Sequence, residues 1–348
     1  MWTSMSSLES KFSDKPSVCV VIVTYGDRGV LLAEVLKGIV AQTYKVSCVV
    51  IVNNGASYSI EDVLVQCGVD ARLVSFESNK GSAEGYAAGI CAALSTKMDL
   101  LWLLDDDNKP ETNALEKSVK LYQATKDAVL CTRLTPGVGR RISGRTTING
   151  FLGFNLLDDA FRMWLRFSHR FFGCGSRELN DNSAGGKTST EVVDVAPYGG
   201  LLIPASLVQR MGLPRTDFVT YADDTEWTSR IVHAGGTIRR CRDALVIDLE
   251  NSWHLRSGPL KPLVSPDVGF YRMYYGVRNQ TYLEFRAASN KFLFFLNVAI
   301  RTSVLFFNLM LFSSDKSASL QRFQIFMKAI ADGVRGRLGH RPEYENDR

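Results

Sequence analysis

Three consecutive carboxylates, Asp105, Asp106 and Asp107, follow directly on the apolar run LLWLL. Adjacent carboxylates repel one another, and a core offers nothing to neutralise them. At a strand's carboxyl end they invite a hard divalent cation, which takes oxygen ligands and keeps positions open for phosphate oxygens. Such an ion neutralises charge developing on a departing diphosphate. The competing reading is a solvated acidic turn that caps a helix starting near Pro110, because Asp and Asn favour helix starts. A second pair, Asp223 and Asp224 in YADDTEW, opens a helical segment. The helix dipole and the free N–H groups of a first turn keep a carboxylate ionised, which suits a general base; simple capping is the alternative. Asn79-Lys80-Gly81-Ser82 ends a strand and opens a helix rich in small residues. Backbone N–H groups at such a start accommodate phosphate or ribose oxygens. Gly85 and Gly89 in that helix fit ligand contact and close helix–sheet packing equally well.

These residues need a scaffold. VCVVIVT (18–24) and SCVVIVN (47–53) are short, β-branched and almost continuously apolar, the pattern of strands buried on both faces of a parallel sheet. Between them Leu31, Leu32, Val35, Leu36, Ile39 and Val40 recur at helical intervals, completing a βαβ unit. The rhythm continues with a helix over 60–66, a strand over 71–77, a helix over 82–94 and a strand over 100–104. Alternation of this kind predicts an open, doubly wound sheet with ligands beyond the strands' carboxyl ends. A further strand is expected at 128–133, strands again at 192–204, and helices at 205–211 and 224–234. Residues 136–191, rich in Gly, Ser and Thr, read as an inserted, mobile region interrupted by DDAFRMWLRFSHRFF (158–172). Glu226 and Arg230, four apart, are placed for a helical ion pair.

Composition supports an enzyme-sized globular chain: 348 residues, 45% hydrophobic and 22% charged, enough to bury a core. Residues 1–16 form a polar lead without the apolar run of a secretory signal. Seven scattered cysteines, odd in number and with no C-x-x-C, argue for reduced thiols in a cytosolic setting. The net charge of +5 is uneven. From Glu284 to Arg348, ten Lys/Arg face six Asp/Glu.

The ordered motifs VCVVIVTYGDR, NNGAS, NKGSAEGYAAG, LLDDDNKP, YADDTEW, SWH and YYGVRNQTYL resemble the family 2 glycosyltransferases of the GT-A fold. The likeness covers about Ser17 to Tyr282. DDTEW, the later W-H pair and the aromatic-RN segment look most like galactofuranosyltransferases, with rhamnosyltransferases using dTDP-rhamnose as near relatives. The resemblance implies a GT-A-like, Rossmann-like catalytic domain over 17–267 and a helical, aromatic, basic extension over 268–348. It makes Asp105 and Asp107 the outer members of a D-x-D site for Mn²⁺ or Mg²⁺ and the donor diphosphate, with Asp106 facing sugar or ribose. His254 of SWH becomes the third metal ligand, and one imidazole with two carboxylates suits manganese better than magnesium. Asn79, Gly81 and Ser82 would hold the ribose side and part of the sugar pocket, and Thr24 and Asp27 the base. Asn53 stands where relatives often carry Asp, which leaves base preference open, with UDP favoured over dTDP. Glu84 replaces a common glycine.

By the same resemblance Asp224 is the base that takes the proton of an acceptor hydroxyl as it attacks the anomeric carbon, while Asp223 orients the acceptor. One displacement inverts the configuration and releases nucleoside diphosphate. The implied setting is assembly of bacterial surface polysaccharide of the O-antigen kind, on a polyprenyl-diphosphate-linked glycan at the inner face of the cytoplasmic membrane. A homo-oligomer is left open, and nucleic acid is not expected as a partner. A sugar-1-phosphate nucleotidyltransferase would want a basic glycine-rich loop after its first strand, where TYGDRGVLL stands instead. A non-catalytic glycan- or lipid-binding scaffold would not need DDD, DDTEW and SWH together. Residues 292–312 are long enough to span a bilayer, but a central Arg301 costs about 2.5–3.5 kcal/mol there. Helices packed on the catalytic domain or lying in the membrane interface are therefore expected.

Overall fold

The computed structural model describes residues 15–134, 141–142, 190–250, 268–313 and 315–347. His254 with its SWH motif, the segment 158–172 and almost all of the expected insertion lie outside the described residues.

Strand β1 (Val18–Gly26), helix α1 (Gly29–Val40) and strand β2 (Cys48–Ala56) form the expected βαβ unit. The two strands run parallel, with Val20 beside Val49 and Thr24 beside Asn53. Helix α2 (Ile60–Cys67), β3 (Arg72–Phe76), α3 (Ser82–Leu94) and β4 (Leu100–Asp105) follow. Ser59 caps α2 by accepting the Asp62 N–H, and Gly68 closes it in the left-handed region, as such termini favour. Then come β5 (Asn108–Pro110), α4 (Ala114–Thr125), β6 (Ala128–Leu134) and β7 (Arg141–Ile142). After them stand β8 (Thr190–Val193), β9 (Leu201–Pro204), α5 (Ala205–Met211), a 3₁₀ turn (Thr216–Phe218), α6 (Asp223–His233) and β10 (Ile238–Asp248). Helices α7 (Phe270–Ala287), α8 (Lys291–Phe312) and α9 (Lys316–Arg335) form the C-terminal extension.

Among the described residues the sheet has ten strands. Its main path runs β3-β2-β1-β4-β9-β6-β10-β5, with β7 on β6 and β8 on β10. The first four are parallel, and β9 enters antiparallel between β4 and β6. Successive residues of β1 serve opposite faces, as the strand period requires. Val18, Val20 and Ile22 pack with α1, α2 and α4. Cys19, Val21 and Val23 pack with α3, α5 and α6. A third core, built on Tyr271, Tyr274, Tyr275, Phe326 and Ile330, joins the C-terminal helices and takes in Val219 from the loop before α6.

One expectation needs correction, and one element was not expected. The helix expected near Pro110 begins at Ala114, because Asn108–Pro110 pairs antiparallel with Val246–Asp248. The strands expected over 192–204 are Thr190–Val193 and Leu201–Pro204, separated by residues 194–200. The eleven-residue β10 was not expected: in IRRCRDALVID charged pairs at 239–240 and 242–243 interrupt the apolar residues, and its register shifts between Cys241 and Leu245.

Gly85 and Gly89 serve close packing. A methyl at Gly89 would stand 2.7 Å from Val21 Cγ1 and 2.9 Å from Val52 Cγ2, and one at Gly85 2.7 Å from Val23 Cγ1. Overpacking costs about 1–3 kcal/mol, against a helix-propensity gain of about 1 kcal/mol for Gly to Ala. The clash wins. Gly89→Ala is expected to lower stability by roughly 1 kcal/mol, measured as a lower denaturant midpoint at unchanged slope.

Candidate active site

Strand β4 is buried along its apolar length and ends at Asp105, so its three carboxylates emerge together at the sheet's carboxyl edge. The Tyr86 hydroxyl lies 2.6 Å from Asp105 Oδ1 and 2.9 Å from the Leu104 carbonyl. Asn108 Nδ2 donates to Asp107 Oδ1 (3.0 Å) and to Asp248 Oδ1 (2.9 Å). A methyl at Gly199 would collide with Asn108 Oδ1 and Asp105 Oδ2, so the cluster requires a glycine beside it.

Contrary to expectation, the fold does offer partial neutralisation. Arg28 reaches Asp106 Oδ1 (2.8 Å), Asp107 Oδ2 (3.1 Å) and Glu250 Oε2 (2.6 Å). Arg133 lies 2.8 Å from Asp248 Oδ1 and 3.6 Å from Asp105 Oδ2. Five carboxylates thus face two guanidinium groups, leaving excess negative charge. Burial, reinforced by Asp105 and Asp106, pushes the Asp107 carboxyl up to about 7. Burial raises Asp106 to about 6 against the pull of Arg28. Asp106 Oδ2 is buried with no hydrogen-bond partner among the described residues. This is a centre short of positive charge, and its oxygen donors fit a hard divalent cation. Among the described residues, no group of three or more His, Cys, Asp or Glu converges as a metal site.

The second carboxylate pair starts α6, as expected. Ala222 caps the helix in the left-handed region. Asp223 is buried, and Ser82 Oγ stands 3.1 and 3.0 Å from its two oxygens; Asp224 is half-buried. The helix start does not hold Asp223 ionised. Burial, then the charge of Asp224, pushes its carboxyl up to about 8, and the Ser82 hydrogen bond only moderates this. Low dielectric outweighs the dipole here. Glu226 and Arg230 form the expected ion pair at 2.6 Å.

Helix α3 joins the two clusters. Ser82 and Tyr86, one turn apart, share a face; Ser82 touches Asp223 and Tyr86 touches Asp105. The Tyr86 ring stacks on Tyr198 at 3.9 Å between centroids. Gly81, at φ +90°, lies so close to the Val219 carbonyl that no side chain fits. Asn79 Oδ1 accepts the Gly81 N–H (2.8 Å), and Asn54 bonds Lys80 N (2.8 Å) and the Gly81 carbonyl (3.1 Å). Asn53 turns its Oδ1 to the Ala56 N–H (2.8 Å), closing its own turn. Thr24 Oγ1 shares a 2.6 Å bond with the Tyr58 hydroxyl, and Asp27 is exposed beyond β1. Thr24, Asp27, Asn53, Asn79, Gly81, Ser82 and both acid clusters therefore line one edge of the sheet.

Sequence reasoning missed Arg28, Asn54, Tyr86, Arg133, Tyr198, Gly199 and Asp248. Tyr86 carried a signal in its four-residue spacing from Ser82. Arg28 carried one as the neighbour of Asp27. Arg133 and Asp248 carried none, since their pairing depends on β10.

The Asp223 shift has a consequence for stability. A carboxyl raised from 3.8 to about 8 binds its proton more tightly in the fold than in the unfolded chain. Its stabilising contribution is complete below the unfolded value and lost as pH rises through about 8. Asp223→Asn, which stays neutral, is expected to match the wild type near pH 4 and to be the more stable near pH 9. Unfolding midpoints measured across that range check this.

Residues 19–182 match the family profile "Glycosyl transferase family 2". The chain is 23% identical over 236 residues to the galactofuranosyltransferase GlfT1 of Mycolicibacterium smegmatis, covering 65% of this chain and 69% of that protein. The crystal structure of S. aureus TarS 1-349 in complex with UDP-GlcNAc superposes with a TM-score of 0.50 at 11% identity, over 92% of this chain and 83% of that one. A mannosyltransferase from Pyrobaculum calidifontis, solved with GDP-Man and Mn²⁺, aligns at a TM-score of 0.47 and 15% identity, over 92% of this chain and 88% of that one. Profile and fold agree: the chain is a glycosyltransferase of GT-A fold that matches the family 2 profile over residues 19–182.

Proposed function

We propose that the protein transfers a sugar, with inversion, from a nucleoside-diphosphate donor to a hydroxyl of a lipid-linked glycan. The observation that carries this is the α3 tether. Ser82 and Tyr86, one helical turn apart and about 6 Å along the helix axis, contact Asp223 and Asp105 respectively. On this reading a diphosphate at the Asp105 cluster carries its anomeric carbon towards the Asp223–Asp224 pair. Asp224, less buried than Asp223, is the base. A protonated Asp223 leaves a single negative charge in the pair, and its contact with Ser82 suits it to orienting the acceptor.

The acceptor oxygen forms its bond to the anomeric carbon as Asp224 takes the hydroxyl proton. The bond to the diphosphate breaks on the opposite face, and nucleoside diphosphate leaves. Mn²⁺ or Mg²⁺, held by Asp105 and Asp107 with His254, would supply Lewis-acid neutralisation of that leaving group. Thr24, Asp27 and Asn53 at the ends of β1 and β2 take the base, with Asn79, Gly81 and Ser82 on the ribose and sugar side. The likeness to GlfT1 supports galactofuranose, from UDP-galactofuranose, as the sugar.

The test is a panel of UDP- and dTDP-sugars with Mn²⁺, reading release of nucleoside diphosphate. UDP-galactofuranose is expected to turn over, and formation of nucleoside triphosphate would identify a different enzyme. Asp224→Asn is expected to keep donor affinity and lose turnover by ~10²–10⁴, the size of a lost general base. A larger loss in Asp223→Asn would reverse the two roles. Asp105→Ala and Asp107→Ala are expected to abolish transfer with the fold intact; a near-normal rate for either in excess chelator would refute the metal assignment.

Helix α8 supports a membrane contact. Within the described residues it is the one helix long and apolar enough to cross a bilayer. Phe294, Val298, Thr302 and Leu305 are buried on one side, while Phe292, Leu296, Ile300, Val304, Phe307 and Leu311 form an exposed stripe on the other. Phe292 and Leu311 are 74% and 72% exposed. The half-buried Arg301 lies towards the packed side, so the stripe is uncharged and suits the interface of a lipid surface, with nearby Lys and Arg adding about 1 kcal/mol each on anionic lipid. The protein is expected to sediment with anionic vesicles at low salt and to loosen without full release at high salt. Protein that stays in the supernatant at low salt refutes this.

A further inference from the structure

The loop that delivers Asp223 and Asp224 is held in an uncommon backbone. Val219 has φ +66° and ψ −66°, with the Thr220 N–H donating to the Phe218 carbonyl at 2.8 Å. This is the rare, strained form of γ-turn, here at a β-branched residue. Tyr221 (φ +63°) and Ala222 (φ +58°) are also left-handed. None of the three is glycine, so local preference opposes the conformation. Such backbone persists only where its surroundings over-determine it.

The surroundings are two fully buried residues of α7, Arg278 and Asn279. Asn279 Nδ2 faces the carbonyls of Phe218 (2.8 Å), Thr220 (2.7 Å) and Tyr221 (2.9 Å). Arg278 donates to the carbonyls of Phe218 (3.1 Å), Asp217 (3.3 Å) and, further along the chain, Gly339 (2.6 Å). Its Nε donates to Asn279 Oδ1 at 2.8 Å, which fixes the amide so that its nitrogen points at the loop. On the other side of the loop, the Val219 carbonyl accepts the Ala83 N–H (3.1 Å), and Thr220 Oγ1 lies 3.3 Å from Ser82 Oγ. The loop is thus gripped between α7 and the start of α3.

We propose that Arg278 and Asn279 are positioning residues for transfer: by binding the carbonyls of Asp217, Phe218, Thr220 and Tyr221 they impose the left-handed backbone that sets Asp223 against Ser82 and Asp224 beside it. The C-terminal extension is on this view part of the active centre as well as a membrane contact. The proposal rests on the reading of the Asp223–Asp224 pair as the acceptor-side carboxylates.

The experiment compares Asn279→Ala, Arg278→Lys and Ala222→Gly, alone and with Asn279→Ala, in the full chain. Asn279→Ala is expected to cut kcat by ~10²-fold, the scale of a roughly 1 Å misplacement, with donor affinity changed less than about tenfold. Amide exchange should speed up across 217–222 while the strands stay protected. Ala222→Gly, which suits a left-handed position, should recover part of the lost kcat in the double variant without raising its melting temperature. A purely structural role would not produce that recovery. If Asn279→Ala does not fold, Arg278→Lys carries the same test, with a smaller loss rescued by the same glycine. Near-normal kcat, or unchanged exchange in the loop, overturns the clamp. A near-normal Asp224→Asn beside an impaired Asn279→Ala would instead move the base within the held pair and leave the clamp standing.

Discussion

Helix α3 lies on β1 and β2 with glycine at 85 and 89 facing Val23, Val21 and Val52, where a methyl would overlap the valines. Interiors are packed too densely to absorb such an overlap without displacement. The helix therefore sits low on the sheet, and its first two turns come level with the carboxyl ends of β1 and β4. Tyr86 can then reach Asp105, and Ser82 can reach Asp223. A bulkier interface would lift the helix and separate the two carboxylate clusters. The same closeness recurs one step earlier, where Gly81 leaves no room before the Val219 carbonyl. A run of small residues, unremarkable in composition, thereby determines the spacing of the chemistry.

The charges at that edge are not balanced within the fold. Arg28 and Arg133 offset only part of the carboxylate charge around Asp105, Asp106 and Asp107. Buried carboxyls with raised affinity for protons represent unmet demand for positive charge, and burying charge without full pairing is costly. Arg28, shared by Asp106, Asp107 and Glu250, meanwhile ties the acid turn to the ends of β1 and β10.

Much of this was legible in the residues. Continuous β-branched runs at 18–24 and 47–53 can satisfy only a two-faced strand, and Asp105–Asp107 after LLWLL could emerge only at a strand end. The charged strand β10 was not legible, because Arg239, Arg240 and Arg242 break any apolar run; Arg239 pairs with Asp127, while Arg240 and Arg242 face Glu191. With β10 hidden, Asp248 and its partner Arg133 were hidden too. The behaviour of Asp223 was also out of reach. A first-turn carboxylate predicts ionisation, and only the tertiary packing of Ser82, Tyr198 and the 217–222 loop reveals the desolvation that reverses it. Asn53 and Asn54 show the same limit at single-residue scale: adjacent and chemically identical, one closes its own turn while the other secures the Asn79–Gly81 segment.

The C-terminal helices divide their labour by face and by residue type. Helix α8 presents Phe, Leu, Ile and Val outward and keeps Asn297 and Thr302 inward, the reverse of an ordinary soluble helix. Helix α7 buries Arg278, Asn279, Gln280 and Thr281 in sequence, which a hydrophobic core alone would not reward. Buried polar groups are retained where donors have defined acceptors, and the acceptors for Asn279, with two of those for Arg278, are backbone carbonyls of the loop before Asp223. Backbone acceptors cannot be changed by substitution, so their recognition fixes conformation where side-chain pairing would fix identity. Tyr274 meets Asp332 through a 2.7 Å hydrogen bond, and Gly333 stands against the Arg278 carbonyl, so α9 holds α7 in turn. A chain of contacts therefore runs from α9, which packs on the buried side of α8, through α7 to the carboxylates, and the geometry at Asp224 depends on helices that lie outside the sheet.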